Sequence, residues 1–299
     1  MLTVVIQIPC FNESETIGRV LDDLPAHIPG VDRIKTLVVD DGSTDETIAV
    51  ARRHGVDHVH ALAKNRGLAA AYCEGLRVAI GLGADIVVNT DGDCQYPGRY
   101  IESLVAPIVA GKADLVIGDR HPASDLRCSR WKRILQKAGQ IVVSVAVGQR
   151  LRDPVSGFRA ISREVASGLK ITSRFSYTLE SLMRIANTGA RIDHVPVKTN
   201  SPTRPSRLFR SVPQFVCRSA WIVTRTWLTL RTDIVRDALT QPLSRNAASE
   251  QRRNNVGTTS EQRRNNVDAA FSGDCLEFSG NHRLRPSHFG QFQFFPGPA

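Results

Sequence analysis

Asp91 and Asp93 stand two residues apart in Asn89-Thr90-Asp91-Gly92-Asp93-Cys94-Gln95-Tyr96-Pro97, directly after the apolar run Ile86-Val87-Val88. A strand that ends in carboxylates at i and i+2 sends both side chains to one side. Hard oxygen ligands at such a place suit Mg²⁺ or Mn²⁺, and Mg²⁺ ordinarily completes its shell with water and substrate phosphate oxygens. Gly92, between them, would let a ligand come close to the backbone. The chemistry described is a divalent ion holding a nucleoside diphosphate at the carboxyl end of a sheet. An Asp-x-Asp by itself equally describes a solvated acidic turn, so its surroundings decide.

Strand-like runs at 2–8, 34–40, 56–61, 84–90 and 113–118 alternate with helical stretches at 13–24, 44–54, 67–82 and 98–110. This is the pattern of an α/β fold with a mostly parallel sheet flanked by helices. Ser43 and Glu46 have the spacing of a capping box, and Pro97 suits the first turn of the fourth helix. Further on, a helix over 130–148, a loop over 150–159, a helix near 177–188 and a closing strand over 192–197 are expected. Residues 208–230 read as an amphipathic helix carrying Phe215, Trp221 and Trp227 among arginines. It fits either an interfacial membrane helix or a helix packed on the domain. Residues 249–256, Ser-Glu-Gln-Arg-Arg-Asn-Asn-Val, recur unchanged at 260–267. Two short polar copies cannot bury a core, so 241–299 is expected to be a disordered tail without catalytic role. The organisation expected is thus a catalytic domain over 1–200, a basic amphipathic segment over 201–240, and the tail.

The chain of 299 residues supports a sizeable core, and its formal net charge of +10 is unevenly spread. Seven basic residues and no acidic one fall between Lys198 and Arg231. Arg120, Arg127, Arg130, Lys132, Arg133 and Lys137 form a second cluster, broken only by Asp125. Such patches attract phosphate on nucleotides, lipid headgroups or nucleic acid. Sparse aromatic platforms count against nucleic acid as the partner. The six cysteines lack Cys-x-x-Cys spacing, which argues against a zinc ribbon or disulfide scaffold and suits a reducing cytosol. Residues 1–9 are apolar without a basic leader and read as a first strand. No apolar run approaches the about 18 residues that span a bilayer.

Four polar loops fall at the carboxyl ends of the expected strands, where open α/β sheets bind ligands: 8–13, 38–43, 64–67 and 91–93. The second and third immediately precede helices, whose N-termini favour anions. Neither Gly-x-Gly-x-x-Gly after the first strand nor Gly-x-x-x-x-Gly-Lys-Ser/Thr occurs, which disfavours the dinucleotide and P-loop folds.

Pro9-Cys10-Phe11-Asn12-Glu13, Val39-Asp40-Asp41-Gly42-Ser43, Asn65-Arg66-Gly67, Asp91-Gly92-Asp93 with Gln95, and Asp153-Pro154-Val155-Ser156-Gly157-Phe158-Arg159 occur in one order. That ordered set resembles family 2 glycosyltransferases, and the last segment resembles their polyprenol-phosphate branch, the dolichyl-phosphate mannosyltransferases. The likeness covers residues 1–230. It implies a GT-A type fold and a metal-dependent inverting transfer of a sugar from a GDP-mannose or UDP-glucose type donor to a polyprenyl phosphate. By that resemblance Pro9, Phe11 and Glu13 flank the base and ribose, and Val39 and Asp41 pack on and hydrogen-bond the base. Asp91, Gly92 and Asp93 match the diphosphate and metal site, with Gln95 a further ligand. Arg120 matches an arginine on substrate phosphate, and Arg133 or Lys137 its companion in the acceptor loop. Arg207 falls where the family has a lysine on the donor phosphates. The family's other basic residue lies six positions earlier, where this chain has Ser201, and Arg204 is the candidate substitute.

A phosphate acceptor is already largely ionised at neutral pH, its second pKa being about 6. It therefore needs no general base, in keeping with the lack of histidine in these motifs. Asp153 and Arg159 fit either a salt bridge across a turn or acceptor binding. Asp40 reads as a capping or supporting group, Asp193 and His194 as surface residues, and Glu180 as a solvated helix carboxylate. Relatives with a segment like Pro202-Thr203-Arg204-Pro205 often continue into transmembrane helices. This chain is instead expected on the cytoplasmic membrane face as a peripheral enzyme, or as a truncated product. Two other readings stand beside the transferase: a non-catalytic nucleotide- or membrane-binding remnant, and a sugar-nucleotide pyrophosphorylase. The latter usually carries a Gly-x-Gly-x-Arg loop that is absent after the first strand.

Overall fold

The first strand, β1 (Thr3–Cys10), is buried at every position. It pairs in parallel with β2 (Arg33–Asp40) on one side and β4 (Ile86–Asn89) on the other, and helices cover both of its faces. Such a strand reads as a continuous apolar run and not as an alternation. Val4, Ile6 and Ile8 enter one core layer and Val5 the other. Gln7, fully buried in the second face, is the exception.

The computed structural model describes residues 1–120, 130–173, 176–201 and 212–240. Between the strands already named run α1 (Ile17–Asp22), α2 (Thr47–Arg53), β3 (His58–Ala61) and α3 (Leu68–Gly81). After β4 come a 3₁₀ turn (Gly98–Tyr100), α4 (Ile101–Val109), β5 (Leu115–Asp119) and α5 (Arg130–Val147). The chain continues through β6 (Arg159–Ser162), α6 (Arg163–Gly168), α7 (Thr178–Asn187), β7 (Ile192–Pro196) and α8 (Val212–Thr240). The seven strands lie in the order β3-β2-β1-β4-β6-β5-β7, and only β6 is antiparallel to its neighbours. The carboxyl ends of six strands and the amino end of β6 therefore share one edge of the sheet.

The expected mostly parallel sheet is present, with two differences in detail. Residues 159–168 contribute β6 and α6, which the sequence pattern did not show, because four residues opening on an arginine carry no readable period. The Ser43–Glu46 capping box does not form. Helix α2 begins at Thr47 with no side-chain cap, Ser43 Oγ serves another loop, and Glu46 instead pairs with Arg53 at 3.5 Å.

Helix α8 extends to Thr240, beyond the expected end. Its Ile222 and Thr226, one turn apart, are buried, and Ile222 joins the core layer that holds Val5 and Leu37. No helix among the described residues is long and apolar enough to cross a membrane. The repeat and tail expected over 241–299 lie outside the described residues.

Candidate active site

The loops after β1 and β2 are laced together. Asn12 N donates to Ser43 Oγ at 2.9 Å, and Thr44 N returns a bond to Asn12 Oδ1 at 2.8 Å. Glu13 N donates to Thr47 Oγ1 at 2.8 Å, and Ser14 N to Asp45 Oδ2 at 3.1 Å. Asn12 adopts φ 54°, a left-handed conformation that asparagine tolerates better than most residues. Gly42, at φ 75°, has no room for a side chain: a Cβ there would lie 2.7 Å from the backbone of Lys64 and Asn65. That close crossing brings the loop after β3 under Asp41. The Asp41 carboxylate accepts from Arg66 N at 2.7 Å and Gly67 N at 2.8 Å, satisfying amides at the start of α3. Phe11 is half-buried at this edge, and Pro9 and Glu13 are buried beside it. Val39 sits differently. Its side chain lies fully in the core layer with Leu37, Tyr72 and Leu76, on the α3 face of the sheet. Asp40 supports the turn, accepting from Ser43 N at 3.0 Å.

Asp91, Asp93 and Gln95 are half-buried on the turn after β4. Asp93 is held by its own turn, accepting from Gln95 N at 3.1 Å and Gln95 Nε2 at 2.8 Å. Cys94, at φ 60°, is the second left-handed non-glycine residue of the described chain, so both lie in these loops. Such backbone conformations persist where surrounding structure enforces them, commonly at functional sites. Packing also requires Gly92: a Cβ there would meet Cys10 Sγ at 2.9 Å and Glu13 Cγ at 3.4 Å. Burial, together with Glu13, Asp40 and Asp91, pushes the Cys10 thiol well above its ordinary pKa, so this cysteine is an inert wall of the site. Among the described residues no three His, Cys, Asp or Glu side chains converge as a complete metal cage. Two carboxylates and one amide, partly open to solvent, fit a divalent ion that takes the rest of its shell from phosphate oxygens and water. The turn is also tied to the chain that follows β7: Asn200 N donates to Gln95 O and Asn200 Nδ2 to Cys94 O, both at 2.9 Å. Arg204 and Arg207 lie outside the described residues, as does the side chain of Arg133.

Arg120 leaves the end of β5 and forks onto Asp153, with Nε on Oδ2 at 2.7 Å and Nη2 on Oδ1 at 3.0 Å. Asp153 is fully buried, whereas the Arg120 side chain is 28% exposed, so the pair faces solvent through the arginine. Of the two readings for Asp153 and Arg159, the salt bridge between them does not form. Arg159, 2% exposed, instead donates to the carbonyls of Ser156 (2.7 Å), Pro154 (2.8 Å) and Thr178 (2.9 Å) and to Ser181 Oγ (3.1 Å). Burial lowers its pKa, but a guanidinium remains charged. Phe158 stacks on Tyr96 with centroids 4.8 Å apart, fixing the loop to the turn of Asp91. At Gly157 the position of an added Cβ is 3.5 Å from Asp91 Oδ1, so this loop runs beside that carboxylate.

Residues 5–169 match the family described as glycosyl transferase family 2. The chain belongs to that family. It is 30% identical over 206 residues to the polyprenol monophosphomannose synthase of Mycolicibacterium smegmatis, covering 65% of this chain and 76% of that one. It is 27% identical over 208 residues to the undecaprenyl-phosphate mannosyltransferase of Micrococcus luteus, covering 66% and 83%. Glucosyl-3-phosphoglycerate synthase from Mycobacterium tuberculosis, solved with Mn²⁺, UDP and glucosyl-3-phosphoglycerate, superposes with a TM-score of 0.57 at 21% identity, covering 77% of this chain and 80% of that one. That likeness shows the GT-A fold. Membership of the family sets aside the pyrophosphorylase reading.

In this glycosyltransferase Glu180 departs from its expected solvated role. It is 2% exposed and accepts from Thr172 N and Oγ1, Ser173 N at 2.6 Å and Arg184 Nε at 2.9 Å. It therefore locks the segment before α7 onto that helix. Desolvation alone would raise its pKa, but these donors outweigh it and hold the carboxyl below the ordinary value. Asp193 is exposed and His194 half-buried on β7, as expected of an edge strand. The sequence reading passed over Gln7, Asn89, Tyr72 and Tyr177, which meet beneath Asp91. The one signal available was a polar residue inside the apolar strand β1, Gln7, and another closing the apolar run of β4, Asn89.

Proposed function

We propose that this family 2 glycosyltransferase moves a hexose, mannose or glucose, from a nucleoside diphosphate donor to a polyprenyl phosphate at a membrane surface. The observation that carries the reading is the Arg120–Asp153 pair, set beside the Asp91 turn by the 153–158 loop. Asp153 uses Nε–H and one Nη2 hydrogen of Arg120. The remaining three of about five guanidinium N–H groups can meet a phosphate, for which the planar fork is suited. The laced loops after β1, β2 and β3 would receive the nucleoside, with Phe11 and Glu13 at its edge and Asp41 still offering lone pairs to a base. Because Val39 is in the core, a base would meet that position only through the main chain.

Asp91, Asp93 and Gln95 would hold a divalent ion, which when bound supplies charge neutralisation on the leaving diphosphate. M. tuberculosis glucosyl-3-phosphoglycerate synthase has been crystallised with Mn²⁺ or Mg²⁺ and UDP, which supports this reading. Arg204 and Arg207, which follow Asn200 in sequence, are assigned to the donor phosphates by the family resemblance alone. On the acceptor side Arg120 orients a phosphate oxygen towards the anomeric carbon. That oxygen is already ionised, so no side chain need remove a proton.

Helix α8 supports the membrane surface. Opposite its buried Ile222 and Thr226 it exposes Trp221, Leu228, Trp227 and Val216, with relative exposures of 68%, 53%, 42% and 41%. Trp221 and Leu228 form one stripe seven residues apart, and the exposed Arg218 and Arg225 form the adjoining stripe. Arg231 lies over the Trp227 ring at 5.0 Å. An apolar face with tryptophan, flanked by arginines, is the composition that lies in an anionic lipid interface. The free thiols Cys10, Cys73, Cys94 and Cys217 suit the cytoplasmic side.

The test is a panel of GDP- and UDP-sugars with Mg²⁺ or Mn²⁺ and a short polyprenyl phosphate, scored for lipid-linked sugar. Product from one donor, abolished by EDTA, is expected. Metal-dependent nucleotide binding without product would favour the non-catalytic remnant. Neither product nor binding would sink the proposal.

A further inference from the structure

Asn89 ends β4 two residues before Asp91, and its side chain is buried. Its Nδ2 donates to the Gly157 carbonyl and to the Tyr177 hydroxyl, both at 2.9 Å, while its Oδ1 accepts from Gln7 Nε2 at 2.9 Å. The Tyr177 hydroxyl donates in turn to the Gly157 carbonyl at 3.3 Å. The Tyr177 ring stacks on Tyr72 of α3, with centroids 3.7 Å apart and planes 9° from parallel. Gly157 is fitted to this arrangement, since a Cβ there would lie 2.8 Å from the Tyr177 hydroxyl. One carbonyl of the 153–158 loop is thus gripped by groups anchored in β4 and α7, at the point where the loop passes Asp91.

The network is maintained at the expense of stability. Gln7 Oε1 is buried without a hydrogen-bond partner, pressed against Gly75 of α3. An apolar residue at position 7 would avoid that orphan acceptor, as Val5 does two positions earlier on the same face. Polar groups kept in a core at such a cost commonly specify geometry. The geometry in question is the offset between two sites. The ladder pairs with β4 and β5 from Arg159 onward, and Phe158 O accepts from Gly118 N of β5 at 2.9 Å; ahead of Phe158, side-chain contacts set the loop's distance from Asp91.

Resting on the polyprenyl-phosphate reading above, we propose that Asn89 and Tyr177 are positioning residues. They hold the acceptor-side loop, and with it the Asp153–Arg120 pair, at a fixed offset from the carboxylates assigned to the donor diphosphate. Neither touches a substrate. Transfer requires the attacking oxygen within about 3–3.5 Å of the anomeric carbon, and a misplacement of about 1 Å can lower the rate about 10²-fold.

Two variants separate this role from a merely structural one. Asn89→Ala removes all three bonds, whereas Tyr177→Phe keeps the ring stack and the Asn89–Gly157 bond. Steady-state transfer to a short polyprenyl phosphate is measured alongside calorimetric binding of GDP or UDP with Mn²⁺. Asn89→Ala is expected to lower kcat about 10²-fold and Tyr177→Phe about tenfold, with nucleotide affinity within about twofold of wild type. Wild-type turnover in Tyr177→Phe would overturn the proposal, and so would nucleotide affinity falling in step with kcat. If Asn89→Ala does not fold, Tyr177→Phe decides alone. If the wild-type protein makes no lipid-linked sugar from any donor, the acceptor reading itself fails and this role falls with it.

Discussion

Replacing Arg120 by lysine tests the proposed acceptor site. Arg120 performs two tasks with one fork: it satisfies the buried Asp153 through Nε and Nη2, and it presents its outer N–H groups to solvent. An ammonium is a single point and cannot do both. Asp153 is fully buried, so a cation that abandoned it would leave an uncompensated buried charge. The substituted ammonium would therefore stay with Asp153, and the acceptor phosphate would lose a pair of charge-assisted hydrogen bonds. Each is worth about 1.5–3 kcal/mol, and not all of the gross value is forfeited because water can enter the partly open site. A net loss of about 3–4 kcal/mol corresponds to about 10²–10³ in rate. The expectation is that kcat/KM for polyprenyl phosphate falls by that factor, while calorimetric nucleotide affinity with Mn²⁺ stays within about twofold of wild type. Initial rates at varied acceptor concentration provide the assay. Wild-type kcat/KM in Arg120→Lys would refute the reasoning, as would an equal loss of nucleotide affinity.

Glu180→Gln should destabilise the protein by about 2–4 kcal/mol at pH 7, since the amide turns a donor towards Thr172 N or Ser173 N and releases Arg184. Glu180 has a folded-state pKa below its unfolded value, so its contribution is full above the ordinary carboxyl pKa of 4.5 and is lost as pH falls through the folded value. Thermal melts of wild type and variant should therefore converge in acid, and a gap that persists unchanged at pH 3 would contradict this. Gly157→Ala should cost about 1–3 kcal/mol by driving a methyl onto the Tyr177 hydroxyl. The penalty should shrink by more than half in a Tyr177→Phe background, and strict additivity in the double-mutant melt would rule the contact out. For α8, Trp221→Ala with Trp227→Ala should abolish sedimentation with phosphatidylglycerol vesicles, and Arg218→Glu with Arg225→Glu should remove its salt sensitivity. Unchanged sedimentation in both would show that this face meets something other than lipid.

The parallel sheet was readable because β1, β2, β4 and β5 are apolar enough on both faces to stand out as runs. The candidate site was readable in its loops for a related reason: polar residues following such runs mark the carboxyl edge. What failed was partner assignment. A bridge to Arg159, six residues on, was one of two roles open to Asp153, but its partner is Arg120, 33 residues away at the end of the adjacent strand β5. Glu180 looked solvated because its helix position says nothing about Thr172 and Ser173 folding back over it. The capping box failed because the helix starts only at Thr47, four residues past Ser43, whose Oγ accepts from Asn12 N instead. At Gly92 the sequence could not show that the direction of a Cβ is filled by Cys10 and Glu13. In each case local spacing offered a partner and the long-range fold supplied a different one.

The distribution of charge around the 153–158 loop gives the arrangement its chemical direction. Arg120 and Arg159 bring two positive charges, and Asp153 is bonded to Arg120, with Asp91 near enough to act on the same guanidinium. Arg159 is satisfied by carbonyls, which complete its hydrogen bonds without cancelling its charge. A surplus cation in a poorly hydrated place raises the local potential and favours a dianion far more than it would in water. A neutral hydroxyl acceptor would gain little from that field and would need a base; a phosphate gains from it directly and needs none. On the other side of the loop, Asp91 and Asp93 place two negative charges where a diphosphate would arrive, which is tolerable only with a divalent cation between them. Gly157 passes beside the first of these carboxylates, an added Cβ there lying 3.5 Å from Asp91 Oδ1. On the proposed reading, whatever fixes that glycine fixes the offset between the donor and acceptor groups.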